Sequence, residues 1–80
     1  MIIKILGPGC TNCQQLEQRA RQAVEDLGVD AEILEVTDYA DIMAFGIMST
    51  PALVVNGEIR IAGRVPSTDE IASILSKSLS

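Results

Sequence analysis

Cys10-Thr11-Asn12-Cys13 is the segment that most restricts what this chain can become. It holds the only two cysteines, set between an apolar run, Ile2-Ile3-Lys4-Ile5-Leu6, and a long stretch of helical periodicity. A strand, a tight loop and a C-x-x-C at a helix start form the pattern of a redox motif. The first helical turn supplies unpaired N–H groups and the positive end of the helix dipole, and both favour a thiolate over a thiol. Two intervening residues let one sulfur attack the other from the next turn. A purely structural bridge is the weaker reading, because so short a loop stabilises little when closed.

Bulk properties narrow the setting. Eighty residues make a single domain, residues 1–80, and 48% hydrophobic content is enough for a packed core. The formal net charge of −5, with six Lys and Arg spread along the chain, argues against a nucleic-acid partner and against an anionic membrane surface. Met1 to Leu6 is too short for the apolar region of a signal peptide, and no run approaches the ~20 apolar residues of a membrane span. A soluble, cytoplasmic protein is expected, where a cysteine pair is more often catalytic or metal-binding than structural.

Residues 2–6 read as a buried strand, and Gly7-Pro8-Gly9 as a loop that cannot continue it. From Thr11 to Leu27 the period becomes helical. Cys13, Leu16, Ala20, Ala23, Val24 and Leu27 share one face, and Glu17 and Arg21 form an i,i+4 pair in the favoured order. Gly28 is a natural C-cap. Residues 31–36 read as a second strand, so the opening unit is βαβ with parallel strands. Asp38 is placed to cap a short helix running to about Phe45 and ending at Gly46. Ala52-Leu53-Val54-Val55 is an apolar strand, Asn56-Gly57 a strong hairpin signal, and Glu58-Ile59-Arg60-Ile61-Ala62 an alternating, partly solvated strand. Ser67-Thr68-Asp69-Glu70 has the form of a capping box, opening a last helix with Ile71, Ile74, Leu75 and Leu79 on one face.

This βαβαββα order, with C-x-x-C after the first strand and Thr50-Pro51 opening the third, resembles the thioredoxin fold over essentially the whole chain. It is similar to the small stand-alone thioredoxin-like and glutaredoxin-like proteins that lack the extra N-terminal strand and helix of full thioredoxins. The resemblance implies an α/β fold with a four-stranded mixed sheet in the order 2-1-3-4, the first and third helices on one face and the second on the other. It implies that Cys10 is the exposed attacking thiol and Cys13 the buried resolving thiol. It also implies that Pro51 is a cis-proline facing the disulfide and that Thr50 offers its backbone to an extended substrate. Gly63 is placed to permit backbone approach near the site, or simply to turn the chain. The redox-active Cys10–Cys13 disulfide is then the redox centre, with no prosthetic cofactor. The partners are protein disulfide substrates and a thioredoxin-reductase-type or other thiol reductant, and the protein is expected to be a monomer.

Some residues depart from the family pattern. Full thioredoxins carry Trp-Cys-Gly-Pro-Cys, whereas Gly9 precedes Cys10 here and the chain has no Trp. They also carry an Asp six residues before the first cysteine, and that position is Lys4. A cation there would favour thiolate but leave no obvious general base for the resolving thiol. Glutaredoxins typically carry Cys-Pro-Tyr-Cys and a Gly-Gly followed by Asp near the last helix; here Gly63-Arg64 precedes that helix. Ile47 and Met48 read equally as core packing or as part of a shallow apolar docking surface. Arg64 reads as a solvated side chain.

Two other functions compete with thiol–disulfide exchange. The two thiolates suit a metal-binding or metal-transfer protein, although a closed zinc site wants four ligands and the chain has no His. Metal chaperones with C-x-x-C after a first strand normally end in a strand, not in a capped helix. The other alternative is a non-catalytic protein-binding module on the same fold.

Overall fold

Each patterned segment forms the element its periodicity calls for. The computed structural model describes residues 1–79, and Leu79 by its backbone only. The Leu79 side chain, expected on the apolar face of the last helix, thus lies outside the described residues. The elements are β1 (Ile2–Leu6), α1 (Thr11–Leu27), β2 (Glu32–Val36), α2 (Tyr39–Ala44), β3 (Ala52–Val55), β4 (Glu58–Ala62) and α3 (Thr68–Leu79). They form the expected α/β architecture, a four-stranded sheet in the order β2-β1-β3-β4. β1 runs parallel to β2 and antiparallel to β3, and β3 pairs antiparallel with β4.

Strand alternation divides the core. Ile3 and Ile5 of β1, Leu53 and Val55 of β3, and Ile61 of β4 meet Leu16, Ala20 and Ala23 of α1 and Ile71 and Leu75 of α3. On the opposite face Leu6, Ala52 and Val54 meet Ile42 of α2. α1 and α3 therefore share one face and α2 covers the other. The period of two makes this partition: neighbours along a strand enter different clusters.

The caps set where the helices begin and end. Gly28 takes the left-handed conformation at φ +65°, and its N–H donates to the carbonyls of α1's last turn. The Val29 N–H also reaches the Val24 carbonyl at 3.4 Å, completing a Schellman-type closure. The Asp38 carboxylate accepts from the Ala40 N–H at 2.8 Å and starts α2. At the hairpin, Asn56 and Gly57 have φ of +50° and +86°, the paired positive values that match strand twist.

Two local expectations are corrected. β4 does not alternate cleanly. Val54 pairs with Ile59 and Leu53 with Ile61, so Arg60 is the extra residue of a bulge. Ile59 and Ile61 consequently lie on opposite faces: Ile61 is 6% exposed in the core, whereas Ile59 is 40% exposed. The capping box is half formed. The Ser67 hydroxyl accepts from the Glu70 N–H at 3.1 Å, but the Glu70 carboxylate engages the Arg64 guanidinium with both oxygens. An incoming cation outcompetes the helix's own N–H for that carboxylate.

Candidate active site

β1 delivers the chain through Gly7-Pro8-Gly9 to the N-terminus of α1, so the cysteines stand at the sheet's carboxyl edge. Cys10 is the N-cap of α1, and its backbone is extended at φ −69° and ψ 169°. Its carbonyl accepts from the Gln14 N–H at 3.0 Å. Its sulfur accepts from the Cys13 N–H at 3.3 Å, the bond a serine or aspartate oxygen would make at this position. Cys10 and Cys13 are joined as a disulfide, with Cα atoms 5.0 Å apart. The two sulfurs differ sharply in access. Cys10 is exposed, whereas Cys13, one turn along on the apolar stripe, is 5% exposed.

Gly7 lies directly beneath Cys13. A Cβ at Gly7 would overlap the Cys13 sulfur, with the Cys13 Cβ at 3.2 Å and the Pro51 Cα at 3.9 Å. One small residue therefore lets the buried thiol and the Thr50–Pro51 segment crowd the same spot. The Thr50–Pro51 peptide is cis, and Pro51 is buried. Its carbonyl accepts from the Gly63 N–H at 2.9 Å. Gly63 has φ +81°, and a Cβ there would stand 3.0 Å from the Ser49 Cβ. The fold thus brings together Cys10 and Cys13 at the start of α1 with Thr50, Pro51 and Gly63 from two loops, the five site residues expected from the sequence.

With that geometry in view, the thioredoxin domain family model matches residues 1–76. The chain belongs to the thioredoxin family. It is 49% identical over 76 residues to a thioredoxin of Methanothermobacter thermautotrophicus, covering 95% of this chain and 99% of that one. It is 39% identical over 71 residues to a thioredoxin of Methanocaldococcus jannaschii, covering 89% and 81%. A probable thioredoxin of Methanothermobacter marburgensis is 27% identical over 82 residues, covering 95% of each chain. This thioredoxin-family protein is a thiol–disulfide oxidoreductase carrying a C-x-x-C pair at bonding distance.

One concavity borders Cys13 and another begins at Thr50. A pocket of about 150 Å³ is lined by Ile5, Gly7, Gly9, Cys13, Gln14, Glu35 and Thr37. The second is an apolar groove of about 300 Å³ formed by Tyr39, Ile42, Met43, Ile47, Met48 and Thr50. Tyr39, Met43 and Met48 are 64%, 69% and 100% exposed, so of the two readings for Met48 the core one fails. Among the described residues, no helix is long and apolar enough to cross a membrane, and no group of three or more Cys, Asp or Glu is placed to hold a metal ion.

Lys4, six residues before Cys10 where full thioredoxins carry an Asp, points away from the α1 side of the sheet. Strand alternation turns it to the α2 face, where its ammonium lies 5.4 Å from the centre of the Phe45 ring. Glu35 faces the other way, with Ile33 and the α1 side of the sheet, because Ile5 pairs with Glu35 and Ile3 with Ile33. Its carboxyl is held above the usual carboxylate range by the Glu17 carboxyl, which shares a hydrogen bond with it and repels its charge, while Arg21 pulls the other way. Sequence reasoning missed Gly7 and Glu35. Gly7 reads as an ordinary strand breaker, and Glu35, which is exposed, reads as an ordinary solvated strand residue.

Proposed function

We propose that Cys10 attacks substrate disulfides and that Cys13 resolves the resulting mixed disulfide. The observation that carries this order is the difference in access: an exposed sulfur at the helix cap and a 5% exposed sulfur one turn behind it. The Cys13 N–H and the helix dipole stabilise negative charge on the Cys10 sulfur. Cys10 thiolate bonds to one sulfur of the substrate disulfide and releases the other as a thiolate. Cys13 then bonds to Cys10, the substrate's remaining sulfur leaves, and the Cys10–Cys13 disulfide holds the two electrons' worth of oxidation.

The substrate is a disulfide-bearing protein presented as an extended segment. Thr50, Pro51 and Gly63 border the cysteines and receive its backbone, and the apolar groove that begins at Thr50 receives its side chains. The disulfide serves as the redox centre without a prosthetic group, and a thioredoxin-reductase-type enzyme or another thiol reductant restores the dithiol. The protein works as a monomeric electron carrier in the cytoplasm, where reductants keep such a pair cycling. The net charge of −5 fits a protein partner better than a nucleic acid or a membrane.

Trapping tests the order of attack. Cys13→Ser should accumulate mixed disulfides with captured proteins, and Cys10→Ser should capture none by this route. Mass spectrometry of the adducts reads the result, and equal capture by both variants contradicts the assignment. Reduction of a model disulfide with NADPH and thioredoxin reductase, against glutathione and its reductase, identifies the electron donor.

A further inference from the structure

The resolving step poses a chemical problem. Cys13 is 5% exposed, so its thiol has to lose a proton without free access to solvent. Lys4, the residue at the matching position of β1, is turned to the opposite face of the sheet. The pocket beside Cys13 has one carboxylate in its wall, that of Glu35 on the edge strand β2. At about 150 Å³ it is roomy enough for water.

We propose that Glu35 accepts the Cys13 proton, through water held in this pocket, as Cys13 attacks the mixed disulfide at Cys10. This rests on Cys13 being the resolving thiol. The proton passes from the Cys13 sulfur to the Glu35 carboxylate. The electron pair left on sulfur forms the Cys10–Cys13 bond, the bond from Cys10 to the substrate breaks, and its pair leaves on the substrate thiolate. Glu35 then returns the proton to the leaving thiolate or to solvent. When a reductant reopens the Cys10–Cys13 disulfide, the same carboxylic acid protonates Cys13.

The neighbourhood suits this task. From α1, Glu17 and Arg21 face Glu35, and Arg21 is ion-paired with Glu17 at 3.3 Å. From β1 the facing residue is the uncharged Ile5, and the pocket's other lining residues carry no charge. The nearby Glu17 carboxyl raises the proton affinity of Glu35, which moves a carboxylate toward the range in which it exchanges protons with a thiol near neutral pH.

A two-phase thiol assay tests the proposal. The reduced protein is mixed with dithiobis-nitrobenzoate, whose coloured aryl thiolate leaves without needing a proton. The first phase reports attack by Cys10 and the second reports resolution by Cys13. In Cys13→Ser the second phase should vanish. If it persists, or if the wild type releases only one aryl thiolate per chain, the order of attack fails and the role of Glu35 fails with it. Against that baseline, Glu35→Gln should leave the first phase unchanged and slow the second about tenfold, less than a base in direct contact contributes because water intervenes. Its second phase should also lose the acidic limb of the wild-type pH profile. Glu35→Asp should recover the limb, and Glu17→Gln should move it to lower pH. A Glu35→Gln second phase within about twofold of wild type at every pH overturns the proposal. So does a faster one, which would mean that the carboxylate acts only as a charge holding Cys13 protonated.

Discussion

Gly7→Ala places one methyl group where the structure has no room. The added Cβ would overlap the Cys13 sulfur, with the Cys13 Cβ at 3.2 Å and the Pro51 backbone at 3.9 Å. Gly7 cannot easily retreat, because its N–H is bonded to the Val36 carbonyl at 2.9 Å in the sheet. Overpacking of this kind costs about 1–3 kcal/mol. In the oxidised protein Cys13 is tethered to Cys10 and cannot turn its sulfur aside. In the dithiol the side chain is free to adopt another rotamer. Most of the cost therefore falls on the oxidised state, and the potential should rise. If the whole cost is differential, the rise is about 20–60 mV, since 30 mV corresponds to about 1.4 kcal/mol for two electrons. Urea unfolding of both redox states, with equilibration in a dithiothreitol or glutathione buffer, closes the thermodynamic cycle. An equal loss of stability in both states, with an unchanged potential, would refute the reasoning.

Further outcomes follow from the loop at Gly63 and from the Arg64–Glu70 pair. Gly63→Ala should destabilise the protein by about 1–2 kcal/mol through its left-handed backbone alone, and Ser49→Gly in the same chain should recover any further loss caused by the Ser49 contact; urea midpoints of the single and double variants decide this, and no gain from Ser49→Gly would show that crowding adds nothing. Arg64 holds the Glu70 carboxyl below its usual range, so the fold binds fewer protons there than the unfolded chain does. The pair's contribution is thus present above the ordinary carboxylate range and lost as pH falls through the folded value. Glu70→Gln should lower the melting temperature near neutral pH and leave it unchanged in acid, and a loss of the same size at every pH would contradict the ion-pair account.

The features legible in the sequence are those written within a few neighbouring residues. A C-x-x-C spans one helical turn, so its two sulfurs meet because of the helix itself, and the apolar stripe that buries Cys13 continues through Leu16 and Ala20. Gly28, Asp38 and Asn56-Gly57 act on bonds within their own turns, and the boundaries they mark agree with the observed ones to within about two residues. Thr50 and Pro51 were legible only through the family resemblance, and Gly63 only as a glycine that permits close approach or turns the chain, because nothing local says that these segments converge. Whatever depends on a partner outside the residue's own turn was decided by the tertiary structure. The bulge at Arg60 arises from pairing with β3, and it sends Ile59 and Ile61 to opposite faces despite their perfect alternation. Glu70 abandons its own helix end once the chain brings Arg64 to it. Lys4 and Glu35 each sit in a strand with an ordinary apolar pattern, and only the sheet's two-sidedness sends the cation to Phe45 and the carboxylate to the pocket beside Cys13. Gly7 is one of six glycines, and its indispensability is a matter of which sulfur packs on it. Periodicity assigns each strand residue to a face, but which groups wait on that face is set by packing between elements that the chain separates.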